Sequence, residues 1–205
     1  MAGARNRGGT HEYAAPHSVD ASFRICLRFM LSAIIFAMDT IDGPARADFV
    51  ARCLASLIDA CVQGVVADAA LVGEPGRNLA RIAEDAGCNF VETSNAPEGL
   101  REALATVRRD QIFLLSAGYA VERGFADELN DLFAYGDPGA PRTLRAASTT
   151  LTTRLFPVLS QPAGVIVSRQ TLTQTNALLE TGGGLARLSR KLKGADLATR
   201  ARRLT

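Results

Sequence analysis

Between Leu31 and Phe133 the chain repeats one pattern four times: a short apolar run, a turn, then a stretch with helical period. The runs are Leu31–Ala37, Val65–Val72, Cys88–Glu92 and Ile112–Leu115. Leu31–Ala37 and Ile112–Leu115 are apolar on both alternating faces, as parallel strands covered from both sides must be. The first helix spans Arg46–Cys61, with Phe49, Val50, Cys53, Leu54, Leu57 and Ile58 on one face. Asn78 is placed to cap a short helix over Leu79–Ala86. Asn95-Ala96-Pro97-Glu98 opens the next, whose buried stripe is Leu100, Ala103, Leu104 and Val107. The last runs from about Glu122 to Phe133. Such alternation implies an α/β fold: a single Rossmann-like domain, its mostly parallel sheet flanked by helices.

Beyond the turn Tyr135–Gly139 the pattern loosens. Arg142–Ala147 and Gly164–Val167 read as strands, Thr152–Leu159 and Gln170–Leu179 as short helices. After Gly182-Gly183-Gly184 come two stretches read as basic helices, Ala186–Lys193 and Leu197–Arg203. The expected organisation is therefore a leader over 1–29, an α/β domain over 30–180 and a basic helical tail over 181–205. Met1–Asp20 lacks any apolar period and reads as disordered. The leader is open to two further readings. Translation starts at Met30, or Arg24 and Arg28 ahead of the apolar Phe29–Met38 form a signal peptide. Against export, no small-x-small cleavage site follows. Four cysteines without a C-x-x-C pair, Cys26, Cys53, Cys61 and Cys88, read as buried reduced thiols and favour the cytoplasm.

Ligands of open α/β sheets sit beyond the carboxyl ends of the strands. That rule points to Asp39 and Asp42 after the first strand and Glu74 after the second. It also points to Ser116-Ala117-Gly118 after the fourth, as a pocket floor. The substrate-contacting set is thus Asp39, Asp42, Glu74, Ser116 and Gly118. Each has a plainer alternative in loop solvation, helix capping or turn geometry. The two histidines, His11 and His17, both lie in the leader, which excludes a Ser–His or Cys–His nucleophile from the domain. No cysteine spacing suits zinc, and no G-K-[ST] follows the glycine run.

The order of elements over Leu31–Thr173 resembles the family 2 glycosyltransferases. The resemblance lies in Leu31-Ser32-Ala33-Ile34-Ile35-Phe36, in the helix Phe49–Leu57, in Gly76–Val91, in Ala103–Leu115 and in Gly164–Arg169. It implies the GT-A nucleotide-diphospho-sugar transferase fold and sugar transfer from a nucleotide-sugar donor to an acceptor. That family carries an aspartate after its second strand, where this chain has Val72-Gly73-Glu74. It carries a metal-binding D-x-D where this chain has Ser116-Ala117-Gly118. Its catalytic base, an acidic residue often in an E-D motif, has its nearest counterpart here in Asp196-Leu197-Ala198-Thr199-Arg200. The resemblance with these departures implies no divalent metal cofactor and a transferase with altered or lost catalysis. The alternatives are a non-catalytic nucleotide- or partner-binding relative, or a nucleic-acid-associated protein.

Charge is concentrated at the end of the chain. Leu185–Thr205 holds seven basic residues and one acid, Asp196. Arg187, Arg190, Lys191 and Lys193 on the expected helix suit an anionic membrane surface, nucleic acid, or simple solvation. No transmembrane segment is expected, so a peripheral membrane association stays open beside a cytoplasmic one.

Overall fold

The computed structural model describes residues 30–38, 46–148, 155, 160–175 and 184–205. The leader, Asp39, Asp42, Cys26 and the expected helix Thr152–Leu159 lie outside the described residues, apart from Leu155. The elements in chain order are β1 Leu31–Ala37, α1 Ala47–Ser56, α2 Ile58–Val62, β2 Val66–Gly73, α3 Leu79–Asp85, β3 Asn89–Glu92 and α4 Ala96–Thr106. They continue as β4 Gln111–Ser116, β5 Tyr119–Val121, α5 Phe125–Tyr135, β6 Arg142–Ala146, β7 Pro162–Ser168, α6 Arg169–Thr175, α7 Gly184–Leu192 and β8 Ala195–Arg203.

One sheet carries the eight described strands in the order β3-β2-β1-β4-β7-β6-β8-β5. The four expected apolar runs make its parallel half. There β1 lies between β2 and β4, with Leu31, Ala33, Ile34 and Ile35 fully buried. β7 then runs antiparallel to both β4 and β6, β8 is parallel to β6, and β5 closes the edge antiparallel to β8. Two helical layers cover the sheet. On one face Val50, Cys53, Ala60, Leu79, Phe125, Leu129 and Phe133 pack with Ala33, Ile35, Phe113 and Leu115. On the other, Leu100, Ala103 and Leu104 of α4, Leu172 of α6 and Leu188 of α7 pack with Ile34, Ile112, Leu114 and Val165. The alternation of β4 feeds both: Phe113 and Leu115 one way, Ile112 and Leu114 the other.

Several boundaries differ from the expected ones. Arg46–Cys61 is two helices broken at Leu57. There the Ser56 hydroxyl donates to the Cys53 carbonyl at 2.6 Å, and the Leu57 N–H to Leu54, tightening the turn. Asn78 does not cap α3: its φ of 58° is left-handed and its side chain makes no cap bond. Asn95 does cap α4, its Oδ1 accepting the Glu98 N–H at 3.4 Å. β5 was not legible as a strand, being three residues long and, among the described residues, held by pairing with β8 alone.

The larger correction concerns the tail. Ala186–Lys193 is helical within α7, but Leu197–Arg203 belongs to a strand. Leu197 and Ala201 stand four apart, a spacing that suits a helix face as well as a strand face. Pairing to β6 and β5 decides it, burying both residues against α5's side of the sheet. The basic stretch is therefore built into the domain instead of projecting as a helical pair. Arg187, Arg190, Lys191 and Lys193 are exposed, on α7 and the turn after it, while Leu188 and Ser189 between them face inward. No described helix is long and apolar enough to cross a membrane.

Candidate functional site at the carboxyl edge of the sheet

Register places the expected loops side by side. Ala37 of β1 pairs with Gly73 of β2, and Gly73 with Glu92 of β3. On the other flank Phe36 pairs with Ser116. The Ala117 N–H continues the ladder to the Phe36 carbonyl at 2.9 Å, and the Thr93 N–H reaches the Gly73 carbonyl at 3.0 Å. Glu74 and Ser116 thus stand on either side of the end of β1. α4 comes close behind this edge because Gly99 has no side chain. A Cβ there would lie 2.5 Å from Val72 Cγ1 and 2.6 Å from Thr93 Cγ2.

Glu74 is half-buried, and its Oε2 accepts from Arg77 at 3.3 Å across one turn. Ser116 is half-buried at the last position of β4, while Ala117 and Gly118 are buried. The buried Cys53 thiol faces the Ser116 carbonyl at 3.9 Å. Desolvation pushes that thiol up to about 12 from its ordinary 9.0. It is neutral at physiological pH and no nucleophile. Cys61 departs from the expected buried state: it is exposed, and Cys88 is half-buried. The Gly118 carbonyl accepts the Leu204 N–H at 2.9 Å, so the chain end is tied to the floor. Asp196 is not a free carboxylate. Its Oδ2 accepts from Arg145 Nε at 2.7 Å.

A divalent cation bound to a diphosphate needs hard oxygen ligands, usually carboxylates. The end of β4 offers one hydroxyl, that of Ser116, and the Gly118 carbonyl is already engaged. Among the described residues no three carboxylate, histidine or cysteine side chains come together. The described residues at the end of β4 do not by themselves fit such an ion.

A separate open groove of about 570 Å³ lies between the α1–α2 corner and the start of α5, lined by Ser56, Asp59, Gln63, Glu122 and Phe125 among others. It sits by the amino-terminal end of β2, away from the strands' carboxyl edge. The Ser56 hydroxyl there accepts the Val121 N–H at 3.1 Å. Sequence reading missed the polar groups further along the edge: Arg145, Ser160, Gln161 and Arg200. Reading Ala195–Arg203 as alternating around Leu197, Thr199 and Ala201 would have found Arg200 on the opposite face.

No protein-family model and no curated protein matches the sequence. Solved structures do match in shape. Glucosyl-3-phosphoglycerate synthase from Mycobacterium tuberculosis, solved with Mn²⁺, UDP and glucosyl-3-phosphoglycerate, aligns with a TM-score of 0.58 at 12% identity, over 95% of this chain and 79% of that one. The fold is that of glycosyl- and nucleotidyltransferases. 4-Diphosphocytidyl-2C-methyl-D-erythritol synthase from Anaerococcus prevotii aligns with a TM-score of 0.54 at 10% identity, over 85% of this chain and 89% of that one. Inositol-1-phosphate CTP transferase from T. maritima gives 0.50 at 11%, over 86% and 89%. At such identities the likeness is one of backbone architecture, and the chemistry must be argued from the residues at the edge.

Proposed function

We propose that the chain is a GT-A-type domain, akin to the family 2 glycosyltransferases, that binds a nucleotide-sugar over the carboxyl ends of β1, β2 and β4. The observation that carries this reading is the register that sets Glu74 and Ser116 on either side of the end of β1. The fold shared with nucleotide-using transferases supports it. In this reading Glu74, oriented by Arg77, accepts hydrogen bonds from the base or ribose, joined by Asp39 and Asp42 from the loop after β1. The Ser116 hydroxyl meets the phosphate or sugar, and buried Gly118 forms the floor beneath it. The sugar then passes to an acceptor.

One observation favours a second reading, a relative that binds a nucleotide without transferring sugar. Asp196, the nearest counterpart of the family's catalytic base, is ion-paired with Arg145, and the end of β4 carries no carboxylate. A thermal-shift panel of UDP-, GDP- and CDP-sugars tests both. A ligand at a hundredfold excess over its Kd stabilises by about 2.7 kcal/mol. Stabilisation accompanied by release of free nucleotide supports the transferase, and stabilisation without turnover supports the binding relative. No shift with any nucleotide-sugar would remove both readings, and Glu74→Ala is expected to abolish whatever shift is seen.

A further inference from the structure

The carboxyl edge continues past β4 across β7, β6 and β8. Arg145, one residue before the end of β6, pairs in register with Arg200 of β8. Their chain neighbours Leu144 and Ala201 are buried in the core on the α5 side, so both arginines rise from the opposite face. Ser116 lies on that same face, since its neighbour Leu115 also packs on the α5 side. Two strand spacings of about 4.8 Å separate the ends of β4 and β6, within the span of a diphosphate and a long side chain.

Arg145 is held in place. Its Nε donates to Asp196 at 2.7 Å and its Nη1 to the Ser160 carbonyl at 2.9 Å. Two neighbouring polar atoms have no partner although both are buried: Arg200 Nη1 and Ser160 Oγ. A buried donor left unpaired, as Arg200 Nη1 is, calls for an ion or an ordered water. Guanidinium suits phosphate oxygens through its fixed fork of donors.

We propose that Arg145 and Arg200, with the Ser160 hydroxyl, form an anion site for the phosphate-bearing part of the ligand. It meets with guanidinium the charge that the β4 edge is not built to meet through a divalent cation. The proposal deepens the reading of this edge as a nucleotide-sugar site and rests on it for the identity of the ligand, though not for the presence of an anion.

The test is calorimetry on the full chain with UDP and, separately, inorganic pyrophosphate, in EDTA and then in millimolar Mn²⁺. Both ligands are expected to bind in EDTA, to change less than twofold with Mn²⁺, and to weaken about tenfold or more in Arg200→Gln. Arg200→Lys, which keeps the charge and loses the fork, should fall between. It decides the matter if Arg200→Gln does not fold. Unchanged UDP affinity in Arg200 variants that melt like the wild type would overturn the anion site and leave the nucleotide reading standing. Pyrophosphate binding that depends on Arg200, with no added affinity for UDP, would keep the anion site and remove the nucleotide. A tenfold gain on adding Mn²⁺, or no binding of either ligand at millimolar concentration, would overturn the proposal.

Discussion

Leu115 shows what one position on the central strand does. It is fully buried, its strand is paired on both sides, and it stands one residue before the site. Leu115→Ala leaves a cavity that strands on both sides cannot close, and is expected to cost about 2–5 kcal/mol in urea denaturation. Gly164, which pairs with Leu115 across β7, makes the opposite demand. An added Cβ would lie 2.8 Å from Phe113 Cε2 and 2.9 Å from the Leu114 carbonyl oxygen. The Phe113 ring is packed against Phe125, their centroids 4.9 Å apart, so it has little room to give. Gly164→Ala is expected to destabilise by about 1–3 kcal/mol, read the same way. Cys53 gives a pH test. Its thiol is raised by burial from 9.0 to about 12, so the folded state holds the proton more tightly than the unfolded chain. That contribution is fully present below pH 9 and is lost as pH rises toward 12. The melting temperature should therefore fall above pH 9 more steeply in the wild type than in Cys53→Ala.

At the scale of elements, β8 is set by what surrounds it. Between Asp196 and Arg200 its register against β6 shifts, four residues advancing on β8 against two on β6. The extra N–H groups find a partner outside the sheet. Both carboxylate oxygens of Glu128 on α5 accept from the bulge, from Ala198 at 2.6 Å and Thr199 at 2.8 Å. A bulge held this way re-aims the strand, which then brings Arg200 beside Arg145. Glu128→Ala leaves those two donors to water and is expected to cost about 1 kcal/mol. The same variant should weaken anion binding without touching the ligand, so calorimetry and denaturation together check it. Arg169 performs a comparable service at the amino edge. Its guanidinium donates to the carbonyls of Leu104, Val107 and Arg109, fixing the α4–β4 connection to the start of α6.

For the whole molecule, the parallel half and the mixed half of the sheet are, among the described residues, joined within the sheet through the pairing of β4 with β7 alone. The mixed half in turn depends on the last residues of the chain. Among the described residues β8 is the only partner of β5 and one of two partners of β6. Its Leu197, Ala201 and the following Leu204 are buried in the core. Removing residues 195–205 should therefore abolish a cooperative thermal transition, whereas a detachable basic tail could be cut without effect. Calorimetric melting of the truncated chain distinguishes the two outcomes.

The parallel half could be read from local pattern because β1 and β4 at its centre are buried on both faces and β2 is buried over its carboxyl half, and an apolar run of strand length has few other uses. The helices between them announce themselves by period, and loops that end such strands at one edge must contain the ligand side. Hence the sequence alone places Glu74, Ser116 and Gly118 at that edge, while Asp39 and Asp42 fall outside the described residues. The mixed half has no such local signature. Tyr119–Val121 is too short to show a period, and Leu197 and Ala201 fit a helix and a strand equally. Their state follows from partners distant in sequence, Ala201 pairing with Val121 and Ala146. The joining of Arg145 to Arg200 is of the same kind. Fifty-five positions apart, they meet because pairing energy between strands, and not the preference of either segment, sets the register.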